Sequence, residues 1–111
     1  MKKLAFVFAV MLLFLSTAVF AEEHAYAAIE HTSAAIAQGK AGHAPALVEH
    51  AGVALEHAKK AAEVAKGLSK THIEAGVKSL EEAISLGKTG DATAATKSAE
   101  EALAHIQAGN K

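Results

Sequence analysis

The sequence predicts an all-α protein, an up-down-up-down four-helix bundle made of two duplicated helical hairpins. Three observations carry this. Residues 24–61, shifted by 48 positions onto 72–109, match at 13 of 38 positions without a gap, the mark of an internal repeat. Each copy is centred on Gly-Lys-x-Gly, at Gly39 to Gly42 and Gly87 to Gly90. The flanks are rich in Ala, Glu, Lys and Leu, all strong helix formers, and short turns make sequential helices antiparallel neighbours.

Residues 1–21 read as a cleaved signal peptide. Lys2 and Lys3 precede an almost unbroken apolar run from Leu4 to Leu15, and Val19-Phe20-Ala21 offers a small residue for cleavage after Ala21. That run is shorter than the ~20 residues a membrane span needs, so the expectation is export to the periplasm with no membrane association after cleavage. Residues 22–111 are then a single four-helix domain, with hairpins of about 22–67 and 68–111.

The helices are expected in order. The first covers 23–38 and the second 43–66, with Pro45 in its first turn and Gly67 as its C-cap. The third covers 71–86 behind a capping-box pattern, Thr71-His72-Ile73-Glu74. The fourth covers 91–108 with Asp91 as N-cap. Ile29 and Ile36, Val48 and Leu55, Val77 with Leu80 and Ile84, and Leu103 with Ile106 recur at helical spacing and mark the expected core face, with alanines filling the remainder. Six of the thirteen repeat identities are alanines, which an Ala-rich chain partly supplies by chance; the other seven include His24/His72 and His57/His105.

Composition narrows the function. A formal charge of -1 over 111 residues gives no reason to expect nucleic acid. Without the leader the chain carries 9 Lys against 12 Asp plus Glu, a mildly acidic surface that attracts cations. There is no Cys, and both Met lie in the leader, so disulfides and soft sulfur ligation of Cu(I) are excluded. The chain contains no nucleophile-base set, no H-E-x-x-H, no phosphate loop and no Glu-x-x-His pair, so no enzyme is expected.

The histidines carry the chemistry. Spacings of seven join His24 to His31, His43 to His50 and His50 to His57, which stacks each set along one helix face at about 10.5 Å intervals. Metal–nitrogen bonds of roughly 2.0–2.1 Å cannot span that interval, so a second ligand must come from another helix. Residues level across an antiparallel hairpin have position numbers of constant sum, 81 for a turn between Lys40 and Ala41 and 177 for its repeat. His24 with His57, His31 with His50, and His72 with His105 all satisfy this.

These six histidines are the candidate ligands, and metal ions the expected partners of a chain expected to be monomeric. Their orientation is open. At about 100° per residue they fall well away from the bulky apolar stripe, whereas the level matching favours rings that approach each other. Glu23, Glu30, Glu49 and Glu56 each precede a histidine and serve as further ligands, as orienting partners, or only as a solvated acidic face. His43 aligns with Asp91 and has no level partner, so capping or plain exposure stands beside ligation. His24, His57, His72 and His105 lie toward one end of the bundle, where they also have the option of a shared site. Open imidazole sites completed by carboxylate or water favour Cu(II), with Ni(II), Zn(II) and Co(II) weaker. The competing reading is a structural or chaperone-like helical protein without a physiological metal.

Glu22-Glu23-His24, the Gly-Lys-x-Gly turns, and the Glu-His-Ala units at Glu23, Glu49 and Glu56 resemble the small metal-binding proteins of bacterial periplasms over the whole mature chain. That resemblance implies Cu(II) binding with tolerance for other divalent metals, and a role in metal scavenging or homeostasis.

Overall fold

The computed structural model describes the backbone of residues 2–111 and the side chains of 20–111. The leader call over 1–21 falls almost wholly outside the described side chains. Four helices run in sequence: α1 (Lys2–Lys40), α2 (Ala44–Val64), α3 (Gly67–Lys88) and α4 (Ala92–Gly109). α1 packs on α2 and α4, α3 packs on α2 and α4, and α2 touches α4 across the diagonal, which is the expected up-down-up-down bundle. α1 begins well before the expected residue 23, because no Gly or Pro interrupts the chain before Gly39.

The two glycines of each Gly-Lys-x-Gly turn do different work. Gly42 and Gly90 take φ of 82° and 86°, the left-handed conformation in which a side chain is strained. They close Schellman turns: His43 N–H donates to the Gln38 carbonyl at 2.9 Å and Gly42 N–H to Gly39 at 3.0 Å, repeated by Asp91 to Leu86 at 3.2 Å and Gly90 to Gly87 at 3.0 Å. Gly39 and Gly87 instead lie inside their helices at close contacts. A Cβ on Gly39 would meet Leu47 Cδ1 at 2.6 Å, and one on Gly87 would meet Val48 Cγ2 at 2.6 Å.

The caps agree in part. Asp91 accepts from Ala94 N–H at 3.0 Å, and Pro45 occupies the first turn of α2. Asp91→Ala is expected to cost about 1 kcal/mol, read as a lower urea midpoint at unchanged m-value. The other two expectations fail. α2 ends at Val64, so Gly67 is not its C-cap but the first residue of α3, with φ 61°. α3 thus starts four residues before Thr71, Lys66 occupies its N-cap position without a side-chain bond, and the Thr71 hydroxyl donates back to the Gly67 carbonyl at 3.3 Å. A positive-φ glycine opens a helix here as effectively as it closes one, and the capping-box pattern lies inside the helix.

The core departs from the bulky stripe. The innermost seam is Ala25, Ala28, Thr32, Ala35 and Gly39 on α1; Ala44, Leu47, Ala51, Ala54, Ala58 and Ala61 on α2; Ile73, Gly76, Leu80, Ala83 and Gly87 on α3; and Ala95, Ala99, Ala102, Ile106 and Gly109 on α4, with Ile36, Ala62, Ser79, Thr96 and Ser98 also buried beside it. Steps of three and four alternate throughout, which is heptad packing of knobs into holes. The repeat alanines Ala35/Ala83, Ala51/Ala99 and Ala54/Ala102 are all fully buried, so these identities are structural and not chance. Ile29, Val48, Leu55, Val77, Ile84 and Leu103 are only partly buried and pack against the core from its flank, each four residues after a core position.

Candidate metal centre

Every histidine directly precedes a buried core residue: His24 before Ala25, His31 before Thr32, His43 before Ala44, His50 before Ala51, His57 before Ala58, His72 before Ile73 and His105 before Ile106. The heptad therefore places all seven on one flank of their helices and the branched aliphatic residues on the other. In antiparallel packing like flanks face each other. The histidine flanks meet within the first hairpin, between α1 and α2. The aliphatic flanks lie between hairpins, where Val48 of α2 reaches Gly87 of α3 and Thr96 of α4 reaches Gly39 of α1. This settles the orientation of the six paired histidines: they stand at the rim of the hairpin groove, half-exposed, neither in the core nor on the outer face, whereas His43 is exposed.

Four rings form a continuous zigzag across α1 and α2. His24 and His57 have centroids 5.1 Å apart, His57 and His31 are 5.8 Å apart and parallel within 5°, and His31 and His50 are 6.1 Å apart. His24 Nδ1 and His57 Nδ1 share a hydrogen bond of 2.9 Å, which needs a proton on one nitrogen and a lone pair on the other. Two nitrogens bound at right angles to one ion at roughly 2.0–2.1 Å lie about 2.9 Å apart. The pair thus has the nitrogen separation of a chelating ligand. Among the described residues no three His, Asp or Glu side chains converge on one point, so the donor set suits two imidazoles completed by water.

His57 is in contact with both His24 and His31, and its pKa is lowered from the ordinary imidazole value. Burial is the main cause, followed by the positive charges that His24, His31 and Lys60 carry when protonated, against which Glu56 acts in the opposite sense. A lowered pKa favours the neutral form, which is the one that ligates.

The remaining candidates separate. His72 and His105 are half-exposed on the matching flanks of α3 and α4 but make no ring contact with each other or with the first hairpin among the described residues, so the four rings at that end do not merge. His43 stands at the N-cap position of α2 without capping it, and its Nδ1 pairs with Gln38 Oε1 at 3.1 Å. Glu23, Glu30, Glu49 and Glu56 are all exposed, one position further out than the rings, and Glu56 acts on its neighbour only through its charge. In the second hairpin the levels of His31 and His50 are held by Ser79 and Ser98, 8% and 5% exposed, and these small side chains are buried where the first hairpin holds half-exposed imidazoles. The flank rule for the histidines was present in the sequence, but it becomes visible only once the alanine seam is known.

No curated protein matches the chain. A family model described as small metal-binding protein matches residues 1–109, nearly all of the 111. The chain therefore belongs to the small metal-binding protein family.

Proposed function

We propose that the protein is a periplasmic metal buffer or scavenger that holds Cu(II) in preference to Ni(II), Zn(II) and Co(II) on the α1/α2 histidine zigzag. The observation that carries this is the His24 Nδ1 to His57 Nδ1 distance of 2.9 Å across two helices, extended by His31 and His50. Neutral imidazoles with open positions follow the Irving–Williams order, which favours Cu(II) and leaves the ion exchangeable. The export half of the proposal rests on the leader pattern of residues 1–21, which the family match includes.

An ion bridging α1 and α2 binds the folded state alone. At a hundredfold excess over Kd it adds about 2.7 kcal/mol, which at about 4–8 °C per kcal/mol is a melting-temperature rise of more than roughly 10 °C. Calorimetry on the native chain and on His31→Ala/His50→Ala tests the assignment: the double variant should hold fewer ions. No Cu(II) binding tighter than about 0.1 mM, some 5 kcal/mol, would favour the structural, metal-free reading, and a stoichiometry untouched by the double substitution would remove His31 and His50 from the site.

Acid reverses the binding. Protons compete for the same nitrogens, so release is expected as pH falls below about 6, near the ordinary imidazole pKa of ~6.5. The lowered pKa of His57 works in the same direction on the fold: above about 6.5 its contribution to stability is complete, and as pH falls the unfolded chain takes the proton first and stability drops. Copper titrations that coincide at about pH 7.5 and pH 5, on either side of that pKa, would overturn this expectation.

A further inference from the structure

Cleavage after Ala21 would make His24 the third residue of the chain, behind Glu22 and Glu23. We propose that this new terminus is a second metal site, sharing His24 with one cross-helix pair, in which the Glu22 amine, the backbone nitrogens of Glu23 and His24, and His24 Nδ1 form a planar four-nitrogen chelate for Cu(II) or Ni(II). The proposal rests on the cleavage reading and not on the zigzag.

The connectivity suits the ion. Amine to first amide and first amide to second each close a five-membered ring with the metal, and second amide to Nδ1 closes a six-membered one. Square-planar nitrogen donors select Cu(II) and Ni(II) over Zn(II) and Co(II). Binding displaces the two amide protons and one ammonium proton, which pass to solvent.

Three features of the structure show why cleavage would switch the site on. In the continuous helix from Lys2 to Lys40, each N–H bonds to the carbonyl four residues back, so the amides of Glu23 and His24 are tied to Val19 and Phe20. Hydrolysis of the Ala21–Glu22 bond leaves a carboxylate on Ala21 and an amine on Glu22, removes both carbonyl partners, and turns those amides into unpaired groups of a helix start. The Phe20 ring packs edge-on against His24 at 4.2 Å, and it departs in the same step. Glu22 and Glu23 are exposed, so unwinding the terminus around an ion uncovers no buried side chain of theirs and requires His24 to leave its bond to His57.

His24 Nδ1 is also the atom that faces His57 Nδ1 at 2.9 Å. One nitrogen therefore serves two sites, and filling the terminal chelate leaves His57 to its parallel neighbour His31.

The test is Cu(II) and Ni(II) titration of the chain exported and processed in cells, followed by visible absorption and electron paramagnetic resonance, with the terminus read by intact mass. Native protein and Glu23→Ala should show the planar four-nitrogen chromophore, its d–d band at shorter wavelength than imidazole-water copper. Glu23→Pro removes one amide donor while remaining compatible with a helix start, and should lose that chromophore, as should His24→Ala. The unprocessed 111-residue chain should lack it. His57→Ala and His31→Ala/His50→Ala should keep it, so failure of the cross-helix sites and failure of the terminal site are read separately. A processed terminus other than Glu22, a native protein without the chromophore, or a Glu23→Pro or unprocessed chain that retains it would overturn the proposal.

Discussion

Replacing His57 with alanine is expected to abolish most of the copper-induced rise in melting temperature, and to remove more of it than replacing any other histidine. His57 is the one ring of α2 that contacts two rings of α1, His24 at 5.1 Å and His31 at 5.8 Å. Without it His24 has no partner across the groove, and only His31 with His50 at 6.1 Å remains to bridge the helices. Loss of a direct ligand should exceed the 10–100-fold cost typical of a group that merely orients one, so the stabilisation of more than roughly 10 °C should shrink to a few degrees. His72→Ala/His105→Ala serves as the comparison, since among the described residues those rings touch no other ring, and it should leave the rise nearly intact. Melting curves at saturating Cu(II) decide it: a His57→Ala protein that still gains as much as the native one would place the bridging ion elsewhere. The curves are read on a Glu23→Pro background, where no terminal chelate takes His24 Nδ1 from the bridge to His57.

Leu47→Ala is expected to be the most damaging single truncation of the core. Among the described residues, 13 of the 18 buried apolar side chains are alanines, so few large groups fill the interior. Leu47 is fully buried at the turn end of the bundle, with its methyls against the space that a Cβ on Gly39 or Gly87 would occupy, 2.6 and 3.4 Å from those positions. The repeat counterpart of Leu47 is Ala95, so one leucine fills a layer otherwise made of two glycines and an alanine. Its neighbours are helix backbones that cannot collapse easily, which favours the upper half of the ~2–5 kcal/mol range for such truncations. Against a total of about 5–15 kcal/mol, urea denaturation should show a chain at the margin of folding. A loss below about 1 kcal/mol would mean that the layer closes up around the gap.

Much of this was legible in the chain. The duplication, the four helices, the two Schellman turns and the Asp91 cap follow from local rules: backbone hydrogen bonds close over four or five residues, and Gly42 or Asp91 answers a demand set by its immediate neighbours. The level pairing of His24 with His57 and His31 with His50 follows as well, because a tight turn leaves little freedom in register. Two local readings failed at the α2–α3 junction. There Gly67 and the capping-box pattern met a helix start fixed by the packing of α3 instead of by its cap.

The sequence by itself determined the two hairpins, their register and the heptad spacing of the histidines, since each is a property of one helix or one turn. Only the tertiary structure decided which face is the core. Alanine and glycine at alternating steps of three and four let the helices approach closely, while the larger Ile29, Val48, Leu55 and Val77 are left on the flank. Hydrophobicity ranks single residues, whereas close packing depends on what four helices can fit together. That choice of seam turned the histidines from an outer face to the rim of the groove, brought four rings into one zigzag across α1 and α2, and left His72 and His105 apart.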